Sequence, residues 1–358
     1  MPTLTITRIE AIRQRLRDHG AKPCHEQRVL QAWARVQSVD TRRRRAEDFL
    51  PLRVRALLPA LTAELGALAR LRAEHPGADG SARLLVELAD GQTVESVLLP
   101  QGGLCVSTQV GCAVGCVFCM TGRTGLRRQL GSAEIVAQVV LARGLRPVER
   151  VVFMGMGEPA HNLANVLAAI GLLGTSGAIG HKDLVVSSVG DRRLFERLPL
   201  GPVKPALAIS LHSTRAQLRA QLLPRAPRIA PAELVELGER YARATGYPIQ
   251  YQWTLLAGIN DTDAELEGLA QLLAGKYAMM NFIPYNSNDG LPFTRTARER
   301  AAALAGALQR RGIVTRLRNS AGQDIHGGCG QLRARALPRA AACVPRPIAA
   351  LYSGVATG

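Results

Sequence analysis

Three cysteines stand within eight residues, in the run Cys112-Ala-Val-Gly-Cys116-Val-Phe-Cys119. The spacing C-x3-C-x2-C lets one short loop wrap an inorganic cluster, and cluster iron takes soft thiolate ligands. Three thiolates on a four-iron cube leave one iron without a protein ligand. An open iron can chelate the amino and carboxylate groups of S-adenosylmethionine and pass an electron into its sulfonium, which releases a 5′-deoxyadenosyl radical. The competing chemistry is a structural zinc site, which takes four Cys or His ligands in paired knuckles. No second C-x2-C or His pair lies nearby. Phe118, inside the run, is placed to shield a cluster or simply to pack.

Further groups recur at positions where strands should end. Met154-Gly-Met-Gly-Glu-Pro159 offers glycines that let backbone approach a ligand, with the carboxylate of Glu158 beside Gly157. Ser187, the run Ser210-Leu211-His212, and Asn286 after Asn281-Phe-Ile-Pro-Tyr285 hold comparable places. Each alone could be a turn or capping residue. Cys329 sits among glycines in Asp324-Ile-His-Gly-Gly-Cys-Gly-Gln-Leu332, which suits a reactive thiol better than a core residue. Cys105 stands seven residues before Cys112, so its sulfur should lie near the same cavity. Cys24 and Cys343 read as bystanders.

The elements that would position these groups are visible as periodicity. Helical patterns cover 4–19, 24–38 and 48–73. Strand-like runs at 82–89 and 93–99 flank Asp90-Gly91, a hairpin turn signal, and 104–109 leads into the cysteines. Apolar runs at 149–154, 183–188, 205–211, 248–256 and 278–284 then alternate with helical stretches at 132–145, 162–173, 191–197, 231–245 and 262–274. A helix at 295–311 and a run at 313–317 follow. About six β–α units with parallel strands suit an α/β open or partial (β/α)6 barrel, with its chemistry at the C-terminal strand ends. The domains expected are an N-terminal helical accessory unit over 1–78, a β-hairpin linking segment over 79–103, the barrel over 104–320, and a C-terminal loop and tail over 321–358.

With 358 residues, 47% of them hydrophobic, the chain can bury a large core. Its formal net charge of +17 favours a polyanionic partner, most simply nucleic acid, although the excess is nearly all Arg and codon bias could supply part of it. The run Arg42 to Arg45 is either a nucleic-acid contact or a solvated loop. No apolar stretch is long enough for a membrane span. The first 20 residues read as an amphipathic helix rather than a signal peptide. Seven cysteines without a secretory leader point to metal or redox chemistry rather than a disulfide scaffold, and a cytoplasmic setting is expected.

C-x3-C-x2-C with an aromatic before the last Cys resembles the radical SAM superfamily. Adding Cys105, the MGMGEP run, Ser-Leu-His, Ile-Pro-Tyr-Asn and the Asp-Ile-x-x-x-Cys-Gly-Gln-Leu loop, the chain resembles the RlmN/Cfr family from about Glu95 to Leu332. These are radical SAM methyltransferases that methylate an adenine carbon of RNA. The resemblance implies a [4Fe–4S] cluster on Cys112, Cys116 and Cys119, and S-adenosylmethionine contacts at Gly157, Glu158, Ser187, Ser210, Leu211, His212 and Asn286. It implies Cys329 as methyl carrier, Cys105 as the thiol that resolves the RNA adduct through a disulfide, and Glu95 as general base. Methylation at C2 rather than C8 of an adenine in 23S rRNA, or in tRNA, would follow, with flavodoxin or ferredoxin as electron donor and a monomeric enzyme. This sequence departs from the family pattern in His326-Gly-Gly-Cys329, in Ser187-Ser-Val-Gly190 and in a short Gln101-Gly-Gly103 link. A radical enzyme acting on a protein or small molecule, and a non-catalytic metal-containing RNA-binding protein, are the other two readings.

Overall fold

The structure, a computed structural model, describes residues 7–40, 45–288 and 290–334. Residues 42–44 of the arginine run, Cys343 and the tail beyond residue 334 lie outside the described residues. Helices α1 (Ile9–Asp18), α2 (Pro23–Arg35), α3 (Ala46–Phe49) and α4 (Leu52–Ala67) come first. Four strands follow: β1 (Ala69–Pro76), β2 (Ala82–Leu88), β3 (Thr93–Leu99) and β4 (Gly103–Cys105). The cysteine segment is framed by a small hairpin, β5 (Gln109–Gly111) and β6 (Leu126–Gln129). The remainder alternates: α5 (Ser132–Arg143), β7 (Arg150–Phe153), α6 (Leu163–Thr175), β8 (Leu184–Ser188), α7 (Arg192–Arg197), β9 (Ala206–Ser210), α8 (Ala216–Leu222), α9 (Pro231–Thr245), β10 (Ile249–Leu255), α10 (Asp263–Leu273), β11 (Ala278–Pro284), α11 (Arg298–Arg310) and β12 (Val314–Leu317).

One sheet runs in the order β1-β2-β3-β4-β7-β8-β9-β10-β11-β12. From β4 to β12 every neighbour is parallel, and each crossover steps to the adjacent strand. Stepping always in one direction curls the sheet toward a barrel, and the absence of pairing between β1 and β12 leaves it open. The expected partial barrel is therefore present. One expectation fails. The third helix ends at Ala67 instead of reaching residue 73, and Ala69–Pro76 is a strand antiparallel to β2. Arg70 and Arg72 point to solvent on alternate positions, a period of two that the pairing with β2 rewards. The hairpin β2–β3 thus extends the barrel sheet.

Register gives the two faces of the sheet different characters. Leu184, Val186, Leu207, Ile209, Tyr251, Trp253, Met280 and Phe282 are buried beneath the helices in the main core. The opposite face carries Val152, Met154, Val185, Ala206 and Ala208, a small separate cluster, together with Ser187, Ser210, Gln252 and Asn281 in paired positions. Closed (β/α)8 barrels fill this face with bulky branched side chains. Small and polar residues leave room for a ligand. The N-terminal helices belong to the same continuous core as the barrel. Among the described residues, no helix is long and apolar enough to cross a membrane. Trp253 anchors the outer face, fully buried and edge-on to Phe282. Trp253→Ala should cost about 3–5 kcal/mol, checked by denaturant unfolding.

Candidate functional site

The cysteine loop leaves β5 and folds back on itself. The Cys112 N–H donates to the Gly125 carbonyl at 3.1 Å, and the Cys119 N–H to Cys116 at 3.0 Å. Gly122 lies so close to Gly115 that an added Cβ would meet the Gly115 Cα at 2.8 Å. Burial pushes the Cys112 thiol up to about 12 and raises Cys116 and Cys119 as well, with mutual repulsion among the three sulfurs adding to it. Thiolates in such a place need a positive partner, which iron supplies. Among the described residues, no three Cys, His, Asp or Glu side chains close around a single metal ion. In a cube each sulfur takes a different iron, so the donor set fits a [4Fe–4S] cluster. Cys116 and Cys119 line an open cleft with Arg123 and Phe293.

The MGMGEP turn is seated on the strand segment that precedes the cluster loop. The Met156 N–H donates to Ser107 Oγ at 2.8 Å, and the Glu158 N–H to Gln109 Oε1 at 2.7 Å. Gly157 has φ +105°, and a Cβ there would sit 2.8 Å from the Gln109 backbone nitrogen. Its glycine therefore serves close packing as much as ligand access. Gly157→Ala should lower stability by about 1–3 kcal/mol through strain and clash and displace the Glu158 turn. A thermal melt and S-adenosylmethionine titration check both effects.

Glu158 is buried, and burial raises its pKa against the pull of its hydrogen bonds. Oε1 accepts from Ser188 Oγ at 2.6 Å and Oε2 from the Val189 N–H at 3.0 Å. Ser188, not Ser187, is the hydroxyl tied to Glu158; Ser187 points to the other face of β8, toward the small-residue interior. Sequence reading missed Ser188 because both serines sit at the same strand end, and only the side-chain alternation separates them.

His212 has φ +59°, and its Nδ1 accepts from the Thr254 N–H at 3.0 Å. Burial holds it down to about 3, so the ring stays neutral with its proton on Nε2. The Phe118 ring meets it edge-on, with centroids 5.0 Å apart. Ser210 is half-buried at the end of β9. Leu211 is different: its side chain is in the core, its N–H bonds to Gln252, and its carbonyl takes the Ser213 N–H. It backs the site by packing. Asn286 is buried, and its Oδ1 has no partner among the described residues, a group left open for a ligand.

The Cys329 loop is held against the cluster loop. The Met120 N–H donates to the Gly330 carbonyl at 2.8 Å, Thr121 Oγ1 to the Leu332 carbonyl at 2.7 Å, and Asn286 Nδ2 to the Cys329 carbonyl at 3.0 Å. A Cβ on Gly330 would stand 3.8 Å from the Cys119 Cα. Cys329 is exposed and Cys105 buried; both are free thiols. They lie close enough that a charge on Cys329 opposes ionisation of Cys105, whose thiol burial pushes far up, and likewise of Cys119. Sulfurs 224 residues apart in sequence (329 minus 105) are thus brought into one neighbourhood beside the cluster loop.

Glu95 shares a sheet face with Cys105 through the pairing of Val97 with Cys105. Its carboxylate is fully engaged. Oε1 accepts from the buried Arg83 guanidinium, and Oε2 from the N–H groups of Arg333 and Ala334 at 2.7 and 3.0 Å. Arg83 Nε donates to the Ile325 carbonyl at 2.8 Å. This ion pair thus grips the loop on both sides of Cys329. Sequence reading missed Arg83, whose role depends on pairing between β2 and β3.

Comparison with known proteins places this geometry. The model of the radical SAM superfamily matches residues 106–273. A probable RNA methyltransferase of Azoarcus sp. strain BH72 is 71% identical over 343 residues, covering 94% of this chain and 99% of that protein. The chain belongs to the radical SAM RNA methyltransferases. A probable RNA methyltransferase of Leptothrix cholodnii is also 71% identical, over 96% of this chain and 99% of its own. A crystal structure of a radical SAM methyltransferase from Sphaerobacter thermophilus superposes with a TM-score of 0.78 at 34% identity, covering 92% of this chain and 98% of that one. The resemblance to the RlmN/Cfr family drawn from the motifs agrees with these relatives. The cysteine loop, Glu158, Ser210 and Asn286 stand at the C-terminal ends of the parallel strands, the end at which α/β barrels carry their chemistry.

Proposed function

We propose that this methyltransferase modifies an adenine carbon of RNA, C2 in preference to C8, through a methyl group carried on Cys329. The observation that supports this most is the attachment of the Cys329 loop to the cluster loop, with Cys105 nearby. Cys112, Cys116 and Cys119 hold the [4Fe–4S] cluster. When bound, the cluster supplies one-electron cleavage of S-adenosylmethionine to a 5′-deoxyadenosyl radical. Gly157, Glu158, Ser187, Ser210, His212 and Asn286 hold S-adenosylmethionine, with Leu211 behind them.

The amidine carbon of adenine is electrophilic, so polar transfer from a sulfonium fails there and a radical route is needed. Cys329 Sγ takes the methyl carbon, loses its thiol proton, and frees S-adenosylhomocysteine. A hydrogen atom would pass from that methyl group to the 5′-deoxyadenosyl radical, giving 5′-deoxyadenosine, and the methylene carbon would bond to the base. The adduct would lose one electron, back to the cluster when bound, and its ring proton to Glu95 once the 333–334 strap has lifted from Oε2. The Cys105 thiolate would then bond to the Cys329 sulfur and break the sulfur–carbon bond; the freed carbon would take up a proton to become the methyl group, leaving a disulfide for an external dithiol to reduce. The substrate is 23S rRNA or tRNA, with the base splayed into the pocket and basic surface holding the backbone. Flavodoxin or ferredoxin delivers the electron, and the enzyme works in the cytoplasm as a monomer.

Anaerobic reconstitution should give a brown protein with about four iron and four sulfide per chain. RNA from a strain lacking the protein should lose one methyladenine relative to the parent. Unchanged RNA methylation would overturn the substrate assignment, and a colourless zinc protein would overturn the cluster.

A further inference from the structure

Helix α8 is an element that the periodicity did not announce, and it backs the cysteine loop. The Val117 N–H donates to the Leu222 carbonyl at 3.1 Å, and the Arg225 N–H to the Val114 carbonyl at 3.2 Å. Arg219 points from this helix into the protein and is 4% exposed. Its Nη2 donates to the carbonyls of Val189 and, at 3.1 Å, Ser210. Its Nε has no partner among the described residues. No carboxylate of the described residues pairs with it either, although Glu158 and Cys116 are near enough to act on its charge. A charge buried without a counter-ion is costly unless something the site binds supplies one. Burial lowers the Arg219 pKa only to about 10, so the group remains cationic at neutral pH.

A four-iron cube with three thiolates is anionic and becomes more so on reduction. Net charge and nearby hydrogen bonds set the potentials of such clusters. We propose that Arg219 is the built-in countercharge of the cluster and Glu158, and that its positive charge sets how readily the cube accepts an electron. The inference rests on the cluster assignment above. Failure of that assignment would show separately, as wild-type protein that takes up no iron.

The test is an anaerobic potentiometric titration of the reconstituted full chain, with dithionite as the electron source and electron paramagnetic resonance as readout. Wild type is compared with Arg219→Met and Arg219→Lys. Loss of a unit charge in a poorly screened interior should lower the reduced-to-oxidised ratio at least tenfold at a fixed potential. For one electron this is a midpoint about 59 mV more negative. Arg219→Lys, which keeps the charge but loses the forked contacts to Val189 and Ser210, should stay within threefold of wild type. Should Arg219→Met assemble no cluster, a fully loaded Arg219→Lys at the wild-type midpoint still carries the proposal. A wild-type midpoint in Arg219→Met would overturn it, as would equal loss of cluster or equal shifts in both variants.

Discussion

Cys105→Ala, purified from cells, is expected to carry an RNA fragment covalently attached at Cys329. Cys105 is buried at the end of β4, and Cys329 is close enough that a charge on it opposes ionisation of the Cys105 thiol. If Cys105 is the group that releases the base, its removal leaves every earlier step intact and the last one blocked. The adduct should survive denaturation, disappear on nuclease digestion except for a residual nucleotide, and map by mass spectrometry to the peptide holding Cys329. Alanine at 105 removes a buried sulfur of modest volume, so stability should fall by only about 1 kcal/mol. Unmodified Cys105→Ala protein with methylation retained would contradict the role.

The second large effect concerns Glu95. Glu95→Ala should destabilise the protein by about 3–5 kcal/mol, since it strands the fully buried Arg83 guanidinium without its carboxylate. It should also abolish methylation, because the segments at 325 and 333–334 lose their anchor. Replacing both partners, Arg83→Met with Glu95→Leu, should recover much of the stability, as apolar substitutes for buried ion pairs often do. Met and Leu also remove the bonds to the 325 carbonyl and the 333–334 N–H groups, so the double variant should regain stability without activity. Glu95→Gln separates the two jobs, because its amide oxygen can still accept from the 333–334 N–H groups but does not take a proton at neutral pH. If Glu95 only clamps the loop, Glu95→Gln should keep activity; if it also accepts the adenine proton, Glu95→Gln should be inactive. Unfolding curves and RNA methylation assays read the two outcomes independently.

Local signals located most elements. The helix expected at 231–245 is found as Pro231–Thr245, set by Pro231 at its start and by Gly246 at φ +75° after its end. The strand runs at 183–188 and 278–284 became β8 and β11 within a residue. What sequence could not show depends on partners far along the chain. β1 exists because β2 pairs with it, the β5–β6 hairpin because residues 109–111 meet 126–129, and the Arg83–Glu95 clamp because β2 and β3 align. The run of three cysteines stands out from spacing, whereas Ser188 and Arg219 do not. Each reaches the site only through a carboxylate or carbonyl on a different segment, Glu158 for Ser188 and Ser210 for Arg219. Some of the arginines serve internal pairing. Arg17, Arg83 and Arg128 pair with the buried carboxylates of Glu26, Glu95 and Glu134; each pair is neutral, so the net +17 is carried by the other basic side chains.

In the proposed mechanism the Cys329 sulfur is a way-station for the transferred carbon. Wild-type enzyme supplied with S-adenosylmethionine labelled as a trideuteromethyl group should show that label on the Cys329 peptide before RNA is added. After RNA is added, the label should pass to an adenine carbon with one deuterium lost. Label on no cysteine, or an intact trideuteromethyl group on the base, would contradict the account.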